Sequence, residues 1–312
     1  MQIELSVFYA RLGTIAIILL LGFILGKLKL IHESTNHQLT NLLLTVFMPA
    51  SLFMAFPTAY DESSLHLFLS GLAAGAIIMV VLIILAKLIF NKKWMKKGLS
   101  HESQFALIFN NATFLGYPIV ASTFGPTGIL AYCGFIISFN IALFSYGIWL
   151  FEQKISWKLL KNIILNPNII AVLIGMVFFL TGVTLPGFIT DAIAYVGNAT
   201  TPLSIICIGF MLSQADLKIV FTKWRLILTA IIQLTIGPFV TWGLLTLLRF
   251  PTEVVQVCTL IQALPTATSL GLFAVKYGGN ETESSELVTI STLFSVVTMP
   301  LIVFLLLTNT IV

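Results

Sequence analysis

Apolar residues recur in blocks of about 20 from Val7 to the C-terminus, separated by short polar stretches. A block of that length crosses the hydrocarbon core of a bilayer as an α-helix. Ten blocks are read, near 7–28, 37–56, 65–90, 102–123, 127–151, 167–182, 188–213, 224–248, 253–275 and 286–308. The loops between them are too short to hold a soluble domain. The fold class is therefore an all-α membrane protein with ten transmembrane helices.

Two of these blocks are interrupted in the same manner. The first contains Asn110-Asn111-Ala112-Thr113-Phe114-Leu115-Gly116-Tyr117-Pro118, the second Gln262-Ala263-Leu264-Pro265-Thr266-Ala267-Thr268-Ser269-Leu270-Gly271. Proline removes a backbone donor and clashes with the preceding turn. Gly116, Pro118, Pro265 and Gly271 are accordingly the expected helix-break positions. A helix broken inside a bilayer leaves N–H and C=O groups that lipid cannot satisfy, so the break must face protein or a polar cavity. A half-helix that begins at a break offers free N–H donors and a partial positive charge, suited to an anion. Asn111, Thr113, Tyr117, Pro118, Gln262, Pro265, Thr266, Thr268 and Ser269 are the candidate substrate-binding residues. The plainer alternative is a kinked helix packed by its neighbours, since proline is common in membrane helices.

The two breaks fall in opposite halves of the chain. Pro49 and Pro202 match at an offset of 153 residues, as do Gly22 and Gly175, and Pro118 and Pro265 match at 147. Five blocks per half make the halves enter the membrane from opposite sides, which reads as two inverted five-helix repeats, 1–152 and 153–312.

Composition agrees with a membrane location. Of 312 residues, 58% are hydrophobic and only 9% charged, against about 25% charged in a soluble protein. Alternating the loops between the two faces puts 14 of the 16 basic residues on one side: Lys27, Lys29, Lys87, Lys92, Lys93, Lys96, Lys97, Lys154, Lys158, Lys161, Lys218, Lys223, Arg225 and Lys276. The basic side is cytoplasmic, so both termini are expected outside a multi-pass protein of the cell membrane. The net charge of +4 reports this topology and not nucleic-acid binding.

All twelve carboxylates lie in loops or near block ends. No mid-membrane Asp or Glu is present to bind sodium directly or relay protons. Transport driven by substrate gradient and membrane potential is the simplest reading, with a sodium- or proton-coupled symporter of the same architecture as the alternative. Lys87 and Arg11 are read as snorkelling to the headgroups. Cys133, Cys207 and Cys258 have neither metal nor disulfide spacing and read as small apolar packing. No cofactor, metal or catalytic constellation is expected, and an intramembrane enzyme is disfavoured because no nucleophile, base or paired acids meet in the bilayer.

Around Pro118 and Pro265 the chain resembles the auxin efflux carrier family, which includes bacterial permeases for malate and similar acids. The resemblance is carried by Asn111, Gly116, Pro118, Phe124 and Gly125, then by Leu264-Pro265, Phe273-Ala274 and Tyr277. Pro49, Ser204 and Gly209-Phe210-Met211 extend it. It implies an architecture like that of the bile-acid symporters, in which broken spans 4 and 9 cross. Spans 3–5 and 8–10 would form a transport domain, and spans 1, 2, 6 and 7 a scaffold through which a homodimer forms. It further implies elevator-like alternating access, with a small organic carboxylate such as malate, malonate or an auxin-like acid as partner and Asn111 contacting its carboxylate. Two departures bear on this. The long cytoplasmic loop of many plant members is absent, and their second ninth-span proline is Leu270 here.

Overall fold

The computed structural model describes residues 5–56, 61–91, 100–153, 164–214 and 223–307. Among them the chain is helical, and the one β-contact is an isolated antiparallel bridge between Asn110 and Thr266. Fourteen helices are numbered here in chain order. They are α1 (Leu5–Lys27), α2 (Glu33–Leu42), α3 (Met48–Phe53), α4 (Glu62–Ile89), α5 (Ser100–Ile108), α6 (Tyr117–Ala142) and α7 (Ile148–Glu152) in the first half. The second half holds α8 (Pro167–Thr181), α9 (Gly187–Asn198), α10 (Thr200–Ser213), α11 (Trp224–Leu247), α12 (Thr252–Gln262), α13 (Ser269–Tyr277) and α14 (Glu281–Ile302).

By length and composition five helical runs are able to cross a membrane: Glu62–Ile89, Ala112–Glu152, Gly187–Ser213, Trp224–Leu247 and Glu281–Leu306. Shorter apolar helices cover Gly13–Lys27 and Pro167–Thr181. Five is fewer than the ten expected, and two of the missing blocks have a physical reason. The block at 253–275 is divided into α12 and α13, of 11 and 9 residues, each too short to span alone. The block at 102–123 is divided likewise, and its second half runs on into the next block.

That continuous run is not straight. Gly125 has φ +60° and ψ −152°, outside helical space, and Pro126 follows it. Glycine takes that backbone conformation without a Cβ penalty. The chain folds back there, because the Tyr132 hydroxyl donates to the Ala112 carbonyl at 3.0 Å. Residues twenty apart on a straight helix would be separated by about 30 Å.

Proline shapes two further turns. Met48 N–H donates to Leu43 O and Tyr117 N–H to Ala112 O, five residues back, in π turns just before Pro49 and Pro118. Each proline sits in the first turn of the helix that follows, where its missing N–H costs little. This corrects the expected break positions. Gly116 and Pro118 belong to the resumed helix, Gly271 lies within α13, and the first break falls earlier, at 109–111. Pro265 does lie within its break. Asp61 caps α4, and hydrogen bonds from Ser63 and Ser64 hold its carboxyl down at about 2.

The helices pack as two groups. In one, α1 lies along α10, and α3 packs on α8 and α9. In the other, α4 lies along α6, while α11 packs on α5, α12 and α14. The groups meet where α1 and α10 touch α6 and where α10 touches the turn Ala112–Gly116. Both long helix pairs are drawn together by glycine. A Cβ on Gly209 would run into the Leu19 carbonyl and one on Gly22 into that of Ile206. Likewise Gly71 faces the Ala131 carbonyl and Gly134 that of Phe68. Small residues permit such close backbone approach, a main source of helix association in lipid.

Cys133, Cys207 and Cys258 are buried and free. Lys87 ends α4 with its ammonium 5.3 Å from the ring centres of both Tyr146 and Trp149, so its charge rests on aromatic faces. The Arg11 side chain, and Lys92, Lys93, Lys96, Lys97, Lys154, Lys158, Lys161 and Lys218 of the charge reading, lie outside the described residues.

Gly209→Val and Gly134→Val are expected to destabilise the protein by about 1–3 kcal/mol or more through overpacking. Gly13→Ala, with open space around it, leaves stability unchanged or higher. Thermal unfolding of the purified protein in detergent separates the two outcomes.

Candidate functional site

The two interrupted segments cross, and their breaks satisfy each other. Asn111 N–H donates to Pro265 O at 2.7 Å, and Ala267 N–H donates to Phe109 O at 2.9 Å. These reciprocal bonds form the Asn110–Thr266 bridge. They meet the requirement that backbone polar groups in a membrane find protein partners. Side chains complete the pairing. Asn110 Nδ2 donates to Gln262 Oε1 at 2.8 Å, tying the two segments a second time. Gln233 of α11 donates to Leu264 O at 2.7 Å, and Ser291 of α14 accepts from Thr266 N–H at 3.1 Å.

From this crossover a half-helix starts on each segment. Asn111 is the N-cap of the first, its Oδ1 accepting from Phe114 N–H at 3.2 Å. Its backbone carbonyl also accepts from Leu115 and Gly116 N–H. The carboxamide oxygen is thereby committed, and the –NH2 end is the part free to donate to a ligand. Thr268 holds the N-cap position of α13. The first-turn N–H groups of a helix have no acceptor within the regular helix; at the first start those of Ala112, Phe114, Leu115 and Gly116 are taken up by Asn110 and Asn111, so the Asn111 –NH2 and the start at Thr268 are the main donors.

Asn111 and Thr268 line one cavity of about 150 Å³. Gly271, Ser285, Val288, Thr289 and Thr292 continue its wall from the same packing group. Ile208, Met211 and Leu212 of α10 close it from the other group. The cavity therefore sits between the two groups, polar on the side of the broken helices and apolar on the side of α10. Among the described residues, no charged side chain is part of its wall.

A family model described as membrane transport protein matches residues 7–156 and 152–303. The chain belongs to that family. It is the family of the auxin efflux carriers, as the motifs around Pro118 and Pro265 indicated. An uncharacterized transporter of Methanothermobacter thermautotrophicus is 24% identical over 299 residues, covering 92% of this chain and 95% of its own length. An uncharacterized transporter of Methanocaldococcus jannaschii is 23% identical over 301 residues, with 92% and 95% covered. An uncharacterized sodium-dependent transporter of Bacillus subtilis is 33% identical over 133 residues, which are 42% of this chain and 40% of its own length. The protein is a multi-pass membrane transporter, not an enzyme.

Within this transporter the candidate residues divide by position. Asn111, Thr268 and Gly271 reach the cavity. Gln262 and Thr266 are buried at 1% and 0% exposure in the crossover itself. Pro265 contributes its carbonyl to the bridge. Tyr117 and Pro118 are buried, and the Tyr117 ring packs 5.8 Å from that of Tyr132. Thr113 and Ser269 are half-buried beside the two starts. The sequence reading did not pick out Ser285, Thr289 or the α10 wall. Thr292 stands with Ser291, Ser295 and Thr298 at helical spacings on the last span, a pattern that serves interhelical hydrogen bonding as well as a cavity wall.

Ser291→Ala in this transporter removes the acceptor of a buried N–H and is expected to cost about 1–3 kcal/mol. Thr289→Ala, which alters only the cavity wall, leaves the unfolding midpoint in place. Equal midpoints for both variants would show that Ser291 does not support the crossover.

Proposed function

We propose that this transporter carries small organic carboxylate anions, such as malate or malonate, across the cytoplasmic membrane by alternating access. One observation carries the reading: the starts of two crossing half-helices, with Asn111 and Thr268, open on one cavity between two packing groups. Helix N-termini favour anions through free N–H donors and the helix dipole, and an amide and hydroxyls adapt to carboxylate oxygens. In this reading the group holding both broken segments is the transport domain, which slides elevator-like against the α1–α10 group as scaffold. The scaffold would also carry a homodimer contact, and the basic loop ends would face the cytoplasm with both termini outside.

Size favours the smaller acids. A cavity of about 150 Å³ takes a benzene-sized guest, whereas drug-sized ligands occupy about 300–1,000 Å³. An auxin-like acid fits that volume less well than malonate or malate.

A sodium-coupled symporter is the second reading. Among the described residues, Asn110 Oδ1, Gln233 Oε1 and Thr266 Oγ1 are buried without a hydrogen-bond partner, all beside the crossover. A dehydrated cation would be served by such neutral oxygens. One partial relative is named as sodium-dependent.

Uptake of labelled malate and malonate into proteoliposomes, with imposed potential, sodium and pH gradients varied separately, tests both readings. Potential-driven uptake without sodium is expected; a strict sodium requirement selects the second reading, and no carboxylate uptake under any gradient sinks the first. Asn111→Ala is expected to weaken apparent affinity about tenfold, the equivalent of ~1.4 kcal/mol, in a protein that still folds although the lost cap costs about 0.5–2 kcal/mol of stability. An unchanged affinity would remove Asn111 from the site.

A further inference from the structure

The cavity between the two packing groups has its donors at one end. Asn111 is 3% exposed, its Oδ1 is taken by Phe114 N–H, and its Nδ2 has no acceptor among the described residues. It lines the cavity together with Thr268, where no side chain caps the start of α13. Leu270 N–H is spent on Ala267 O, so the Asn111 amide, the Thr268 hydroxyl and the remaining first-turn N–H groups gather at this end. The two helix starts that meet here carry about half a positive charge each, together about one. That balances one carboxylate and not two.

The rest of the wall has no answer to a second negative group. Ile208, Met211 and Leu212 of α10 are apolar. On α14 the Thr292 hydroxyl donates to Val288 O at 2.7 Å, while Ser285 and Thr289 keep uncommitted hydroxyls among the described residues. The titratable groups on the elements that form the wall stand outside it: Tyr117 after the first start, Cys207 on α10, Lys276 and Tyr277 on α13, and Glu281, Glu283 and Glu286 on α14. Glu286 pairs with Lys223 at 3.5 Å, and Glu283 lies in the field of Lys223 and Arg225, so these cations are spent on protein carboxylates. A second carboxylate sealed against α10 would leave water without compensation, and such a group takes up a proton instead. A protonated carboxyl both donates and accepts, as a hydroxyl does, so it pairs with Ser285 and Thr289 without a charge to bury. We infer that the cavity takes its guest as a monoanion: a diacid such as malonate crosses with one carboxylate at Asn111 and Thr268 and its other carboxyl protonated. The proton comes from water on the side of entry and returns to water on the other, and no residue of the protein changes its protonation state. The inference rests on the carboxylate reading and adds the charge state of the cargo, which that reading leaves open.

The test compares labelled malonate with labelled lactate in proteoliposomes holding the full chain, at one imposed potential and with equal pH on both faces. Above the second ionisation of malonate, its singly protonated share falls about tenfold for each pH unit. Uptake from a subsaturating malonate pool should fall in proportion, while lactate, a monoanion throughout, holds its rate. At equilibrium malonate should accumulate as one charge per molecule. Met211→Lys, at a wall position 38% exposed, places a cation opposite the donors and should admit the dianion, flattening the pH dependence of malonate. Malonate uptake that is flat or rises with pH, or accumulation as two charges per molecule, would overturn the inference and leave the carboxylate reading in place. Lactate uptake that falls in parallel would show a titrating protein group and overturn it equally. So would an unaltered malonate slope in a Met211→Lys protein that still carries lactate. Failure of both acids at every pH would instead remove the carboxylate reading, and this inference with it.

Discussion

Everything in this transporter turns on how two broken backbones are satisfied inside a membrane. Lipid offers no hydrogen bonds, so an interrupted helix is tolerated only where protein or a cavity supplies partners. Here each break is the other's partner, through Asn111 N–H to Pro265 O and Ala267 N–H to Phe109 O. Neither break is stable in hydrocarbon without the other. The pairing also fixes where the two half-helices begin, and hence where the Asn111 carboxamide and Thr268 stand. Structure and candidate site thus rest on the same two bonds, with Gln233, Ser291 and the Asn110–Gln262 contact holding the crossing rigid from three sides.

The packing explains why a cavity survives beside so tight a junction. Glycine brings α4 onto α6 and α1 onto α10 at backbone contact, so each pair behaves as one thick element. Between the groups the contacts are sparser, and α10 presents Ile208, Met211 and Leu212 across the cavity from Asn111 and Thr268. An apolar wall makes no hydrogen bond that must be broken when it moves past the polar one. That asymmetry suits the sliding of one group on the other in the proposed mechanism.

Much of this was legible in the chain because membrane helices are constrained by length and by proline. The apolar blocks and the motif around Pro265 marked the second break directly, since Pro265 lies inside it. The first break was displaced by about two turns: Pro118 stands seven residues past Asn111, directly after the π turn with which the resumed helix opens. The asparagines at 110 and 111, not the proline, mark the true interruption, because Asn side chains replace missing backbone partners there. The fold-back at Gly125 was readable as the gap between two apolar blocks, but not as a single helical run with one non-helical residue. Of the α10 wall only Met211 stood out, as part of a family motif and not as a cavity residue. Isoleucine, methionine and leucine in an apolar span look the same whether they face lipid, a neighbouring helix or a cavity.

Among the described residues no cationic side chain lines the cavity, which bears on how an anion would be held and let go. Two helix starts supply roughly half a positive charge each, spread over backbone groups already fixed in place by the crossover. Such a dipole interaction is worth typically 0.3–1 kcal/mol and up to ~2 kcal/mol in partly buried geometry, against about 1.5–3 kcal/mol for each hydrogen bond to a charged partner. A buried arginine would add affinity but leave an unpaired charge in the membrane each time the site emptied, at a cost of several kcal/mol. A carrier must return empty as well as loaded. Neutral donors held by the backbone impose little penalty on the empty state, so in the proposed mechanism the same crossing that repairs the broken helices would also let the site cross the membrane without cargo.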